Sequence, residues 1–80
     1  MNSKRELAYT QGVAVTPSDT VNIPTGKTRA LWVGGVGNVR AIMGGVEVNF
    51  LAVPAGTLLK IVCTRVNTTG TTATNIVALN

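Results

Sequence analysis

The sequence predicts an all-β protein: a small antiparallel β-sandwich or barrel, jelly-roll-like, with an extended N-terminal arm. Three observations carry that prediction. Short runs of Val, Ile, Leu and Thr alternate with polar residues at period two, the mark of half-buried strands. Glycine and proline punctuate these runs at short intervals, as turns between strands require. No stretch shows the stripe of apolar residues at helical spacing that an amphipathic helix needs.

Residues 1–8 are polar and charged and read as an arm; residues 9–80 read as one β domain. A first strand is expected over 12–16, ended by Pro17-Ser18-Asp19, where proline presets a turn and Ser and Asp bond their own backbone. A second short strand is expected over 20–23, stopped by Pro24-Thr25-Gly26-Lys27. Residues 28–33 read as a strand, followed by a glycine-rich turn over 34–38. Residues 39–43 resume a strand that Gly44-Gly45 turns. Over 46–50, Val46, Val48 and Phe50 fall on one face and Glu47 and Asn49 on the other. Val53 to Thr57 is a turn. The longest candidate strand covers 58–66, alternating Leu59, Ile61, Cys63 and Arg65 against Leu58, Lys60, Val62, Thr64 and Val66. Residues 67–72 form a polar loop, and 74–79 close the chain as a strand.

The composition argues against an enzyme. Among 80 residues there is no histidine, one cysteine (Cys63) and three scattered acids, Glu6, Asp19 and Glu47. General acid–base catalysis and metal binding draw mostly on these residue types, so neither a catalytic nor a metal or cofactor site is expected. One cysteine makes no internal disulfide. Aromatics make up only 4% (Tyr9, Trp32, Phe50), so the core is aliphatic and thin. A chain this short buries only roughly 60–65% of its unfolded surface. Small domains usually need a staple, and oligomerisation is the expected one, with a self-sufficient small barrel as the alternative. The charged share of 12%, about half that of ordinary domains, fits faces that meet other protein. No apolar run approaches membrane-spanning length and no secretory signal is visible, so folding in the cytosol is expected.

Several motifs dissolve on inspection. Gly26-Lys27-Thr28 resembles the end of a phosphate-binding loop, but Val21 stands where that loop needs glycine and no helix follows. Gly35-Val36-Gly37 begins like a dinucleotide fingerprint, yet Arg40 occupies the third glycine position. Asn67-Thr68-Thr69 is a glycosylation sequon without meaning in the cytosol. Cys63 has no histidine to activate it and reads as a small buried thiol. Trp32, between Leu31 and Val33, reads as buried in a core or a subunit interface rather than as a base-stacking platform.

Four stretches together carry a resemblance: Val15-Thr16-Pro17-Ser18-Asp19, residues 28–35, residues 53–59 and residues 67–79. They resemble a family of small proteins of tailed phages and gene transfer agents, the head spike base, over roughly residues 13–79. Lys60 and Arg65 keep the basic character of the family's strand. The chain departs from the pattern at its end, with Asn80 where an aromatic residue is usual, and that leaves the terminal contact open. The resemblance brings no catalytic pattern with it. It implies an all-β accessory protein on the outside of a capsid, assembled as a symmetric oligomer.

On this reading the chain is a capsid decoration (cement) protein or head spike base, bound to the major capsid protein at a symmetry axis. A trimer is the first expectation and a pentamer carrying a head fibre the second. Lys4, Arg5 and Leu7 of the arm are the expected capsid contacts. Trp32, Asn75, Ile76 and Val77 are the expected subunit contacts, the last strand being a candidate edge for pairing between subunits. The competing class is a small barrel that binds nucleic acid through its seven cations, net charge +4. Three aromatics are few for a stacking surface, which speaks against it.

Overall fold

The computed structural model describes residues 9–80, so the expected arm, with Lys4, Arg5 and Leu7, lies outside the described residues. Seven strands follow in order: β1 (Gly12–Ala14), β2 (Ala30–Gly35), β3 (Gly37–Met43), β4 (Val46–Val53), β5 (Thr57–Leu59), β6 (Arg65–Val66) and β7 (Thr74–Leu79). All pairings are antiparallel. They build a larger sheet, β1-β7-β2-β5, and a smaller one, β4-β3-β6. Leu31, Val33, Ile76 and Ala78 of the larger sheet share one core with Val39, Ala41, Val53 and Val66 of the smaller. The all-β sandwich expected from the alternation is the fold observed.

The β3–β4 hairpin forms where the paired glycines stand. Gly44 and Gly45 have φ of +59° and +83°, the two left-handed positions that a two-residue hairpin turn demands. Met43 and Val46 close the hairpin. Farther along β4, an extra residue enters between the Val39–Phe50 and Gly37–Val53 pairs. The bulge is held at Ala52, whose φ is +55° and whose N–H donates to Asn38 Oδ1 at 2.9 Å. It re-aims the strand so that Val53 enters the core.

Four expectations need correction. Residues 34–38 are not a turn. β2 runs to Gly35 and β3 begins at Gly37, so the chain passes from one sheet to the other at Val36. Gly37 is required there, since a Cβ on it would stand 2.5 Å from the Ala73 nitrogen. Residues 20–23 are not a strand either. Ser18 Oγ accepts the N–H groups of Thr20 and Val21 and holds a turn, while Ile23 drops into the core.

The long strand over 58–66 is broken into β5 and β6, with irregular chain between. The Ile61 N–H bonds back to the Leu59 carbonyl, and buried Thr28 replaces a strand neighbour. Its hydroxyl donates to the Ile61 carbonyl at 2.9 Å and accepts from the Cys63 N–H at 3.1 Å. The break shifts the inward phase from Cys63 to Val66, as the chain leaves the larger sheet for the smaller. Finally, β7 is no free edge: β1 pairs one side and β2 the other. The terminal strands of the two sheets are β1, β5, β4 and β6, and Ser18 bonds the Val66 carbonyl on the outer side of β6.

Candidate interaction surfaces

Cross-strand partners share a face, so the register fixes what each sheet shows to the outside. On the larger sheet, Leu31 and Val33 point inward and Trp32 points out, 42% exposed. Trp32 is opposite Leu58 on one side and Val77 on the other, Ala14 is opposite Val77, and Leu79 is opposite Gly12 and Ala30. The outer face is therefore apolar: Ala14, Trp32, Leu58, Val77 and Leu79. The indole lies low over the sheet, with Nε1 3.7 Å from where a Gly34 side chain would begin and Cη2 3.9 Å from where one on Gly56 would begin. At Gly34 the tight neighbour is Asn75, whose Cβ would stand 2.9 Å from a side chain there. Asn75 joins this face beside Gly34, in the left-handed region at φ +54°.

The smaller sheet turns mostly polar side chains outward, with Leu51 of β4 exposed at its margin. Ile42 lies between Glu47 and Arg65 in register, with Arg40 opposite Asn49. Arg40 Nε donates to Asn49 Oδ1 at 2.7 Å. Buried Asn67 accepts from Arg65 Nε and donates to Glu47 Oε2, both at 2.9 Å, which ties β6 to β4 over the top of Ile42. The Arg40 guanidinium also lies against Gly70, which takes a φ of +93°. These groups satisfy one another within the chain.

The remaining chemistry-bearing groups serve structure. Asp19 Oδ1 and Oδ2 accept from the N–H and hydroxyl of Thr69, at 2.9 Å and 2.7 Å, and these bonds hold its carboxyl below the ordinary carboxylate value. Thr68 donates to the Pro17 carbonyl beside it, so the 17–19 turn is clamped to the 67–72 loop. Cys63 is buried, and burial pushes its thiol above the ordinary value, against a smaller opposing effect of the Thr28 hydroxyl. Asn80 pins the other end. Its side chain accepts from Thr25 and donates to the Lys27 carbonyl, and its backbone pairs with Gln11.

Of the expected subunit contacts, the structure brings Trp32, Val77 and Asn75 together on one exposed face. Ile76 is separated from them: its side chain is 3% exposed in the chain's own core, because neighbours along a strand point to opposite faces. Trp32 is not a core residue. Ala14, Leu58 and Leu79 complete the patch and were not singled out from sequence. Their grouping depends on the order β1-β7-β2-β5, which no local pattern encodes.

No protein-family model and no curated protein matches the chain. Among solved structures, it is similar to a chain of the capsid of a native gene transfer agent particle, computed with C5 symmetry. The identity is 28% and the TM-score 0.80, over 100% of both chains. This likeness supports a virion structural protein related to phage or gene-transfer-agent capsids.

Proposed function

We propose that this chain is an accessory protein of a capsid exterior, a cement protein or head spike base that binds the major capsid protein at a symmetry axis. The observation that carries the reading is the end-to-end likeness to a capsid chain, with neither partner protruding beyond the other. The surface agrees with it. A marginal core needs a staple, and the apolar face around Trp32 supplies area for one. Copies join through Trp32, Leu58, Val77 and Leu79, with Asn75 at the margin of the contact; Ile76 supports the face from beneath. A closed ring of copies, three in the first instance and five in the second, places equivalent surfaces around an axis where capsid subunits meet.

Each copy then bridges neighbouring capsid subunits, and the surface buried across that joint adds to the free energy needed to part them. Lys4, Arg5 and Leu7 of the arm reach an adjacent capsid subunit, the cations meeting acidic groups. The protein is made in the host cytoplasm and acts on the virion, where a five-membered ring would also seat a head fibre. The test is add-back to capsids lacking the protein, followed by imaging. Ordered density on the outer surface at a symmetry axis supports the reading, and deletion of residues 1–8 should lower occupancy while the fold survives. Full occupancy by the truncated protein refutes the role of the arm, and absence of any binding refutes the reading.

A further inference from the structure

Charge is distributed unevenly over this fold, and the arrangement is visible only once the strands are paired. β2 starts at Ala30, beside Leu79 at the end of β7 and just past Leu59 at the end of β5. Thr28 precedes it and donates to the Ile61 carbonyl at 2.9 Å. Lys27 and Arg29 flank Thr28, and Lys60 precedes Ile61, so one hydrogen bond gathers three exposed cations from sequence positions 33 apart at the widest. Arg29 lies over the Tyr9 ring, 5.8 Å from its centre. Tyr9 marks where the described chain enters the fold, and Thr10 bonds the Asn80 carbonyl at the same end. In sequence, the segment that bears Lys4, Arg5 and Glu6 leads into Tyr9.

The other described charges lie elsewhere in the fold. Asp19 is bound to Thr69, Glu47 to Asn67, and Arg40 and Arg65 lie on the outer face of the smaller sheet. The opposite end of β2 and β7 presents Val36, Pro54, Gly56, Thr74 and Asn75, without a charge among them. Among the described residues, one end of the larger sheet is positive and the other is neutral.

We infer that the end bearing Lys27, Arg29 and Lys60 is a docking surface for an acidic protein face, and that it extends the contact of the arm into the folded domain. The inference rests on the capsid reading above and names the end of the domain that faces the capsid. Same-sign charge gathered at one end steers and orients a partner of opposite sign. A nucleic acid fits less well, because no free aromatic ring accompanies the cations. Tyr9 is capped by Arg29, and the Trp32 indole lies towards Gly34 and Gly56, at the far end of β2.

The experiment compares Lys27→Gln/Lys60→Gln with Val36→Glu/Leu51→Glu, two pairs that lower the net charge equally, the second by adding acids at exposed positions of the opposite end. Matching thermal melts establish that both fold. Binding to capsids lacking the protein is measured at low and high salt, alongside binding to a short single-stranded DNA. The Lys pair should weaken capsid binding about tenfold at low salt and flatten its salt dependence, while the control pair stays close to wild type. Equal binding by wild type and the Lys pair, or equal weakening by both pairs, overturns the inference and leaves the capsid reading standing. DNA bound tightly by wild type and released by the Lys pair overturns it in favour of a nucleic-acid surface. No capsid binding by wild type overturns the capsid reading and takes this inference with it.

Discussion

The two outer faces of the sandwich solve the problem of exposure in opposite ways. The smaller sheet covers its outward Ile42 with its own polar side chains, Arg65, Asn67 and Glu47 joined in a chain of hydrogen bonds. The larger sheet leaves Trp32 exposed among Leu58, Val77 and Leu79, with no polar side chain bonded across them among the described contacts. A face whose groups satisfy one another gains little from a partner, since any contact must first break those bonds. An apolar face gains in proportion to the area covered. The contrast separates a face that stabilises the single chain from one available to a neighbour.

That contrast is breakable at named residues. The largest effect belongs to Trp32→Glu, which puts a charge at the centre of the apolar face. It should dissociate the oligomer, at a cost of about 2–4 kcal/mol per site in association, while the monomer keeps its fold; light scattering and circular dichroism read the two separately. Next comes Asn67→Ala, which strips a buried amide from between Arg65 and Glu47. It should lower stability in urea by about 1–3 kcal/mol and leave the molar mass unchanged. A shared outcome for both variants, with stability and assembly lost together, would erase the distinction between the faces.

Smaller effects follow from titration. The folded carboxyl of Asp19 lies below the ordinary 3.8, so its bonds to Thr69 stabilise the fold above the unfolded value and are lost as pH falls through the folded one. Asp19→Asn should lower the melting temperature slightly at neutral pH and flatten the acid side of the profile, because the stabilising charge is then absent at every pH. The Cys63 thiol lies above the ordinary 9.0, so its contribution is complete below the unfolded value and is lost as pH rises through the folded one. Cys63→Ala should flatten the alkaline side, at the expense of a small packing loss at neutral pH. Native Cys63 should also react with a thiol reagent only as fast as the fold opens.

What was legible in the sequence was whatever local chemistry decides. Gly44-Gly45 announced the hairpin because both turn positions need positive φ, and the alternation over 46–50 announced β4. The run over 58–66 misled for a physical reason. Its alternation is real at each end, but Thr28, about thirty positions away, takes up the backbone groups in the middle and permits a change of sheet. The role of β7 misled because edge or centre is a property of strand order: a strand near 12–16 is expected from sequence, but nothing local tells that β1 pairs with β7. The candidate face divides the same way. Trp32 and Val77 stood out from sequence as contacts, whereas Ala14, Leu58 and Leu79 joined them only through the register. Ile76 next to Val77 shows the limit: a strand written into an interface sends only alternate side chains there.

The most direct test of the account is the molar mass of the purified protein, measured by light scattering after size exclusion at low and high salt, beside Trp32→Glu. The account predicts a discrete ring for wild type, a trimer first and a pentamer second, that persists in high salt because its contact is apolar, and a folded monomer for the variant. A wild-type chain that is monomeric at both salts and at high concentration, or a Trp32→Glu chain that assembles as wild type does, would contradict it.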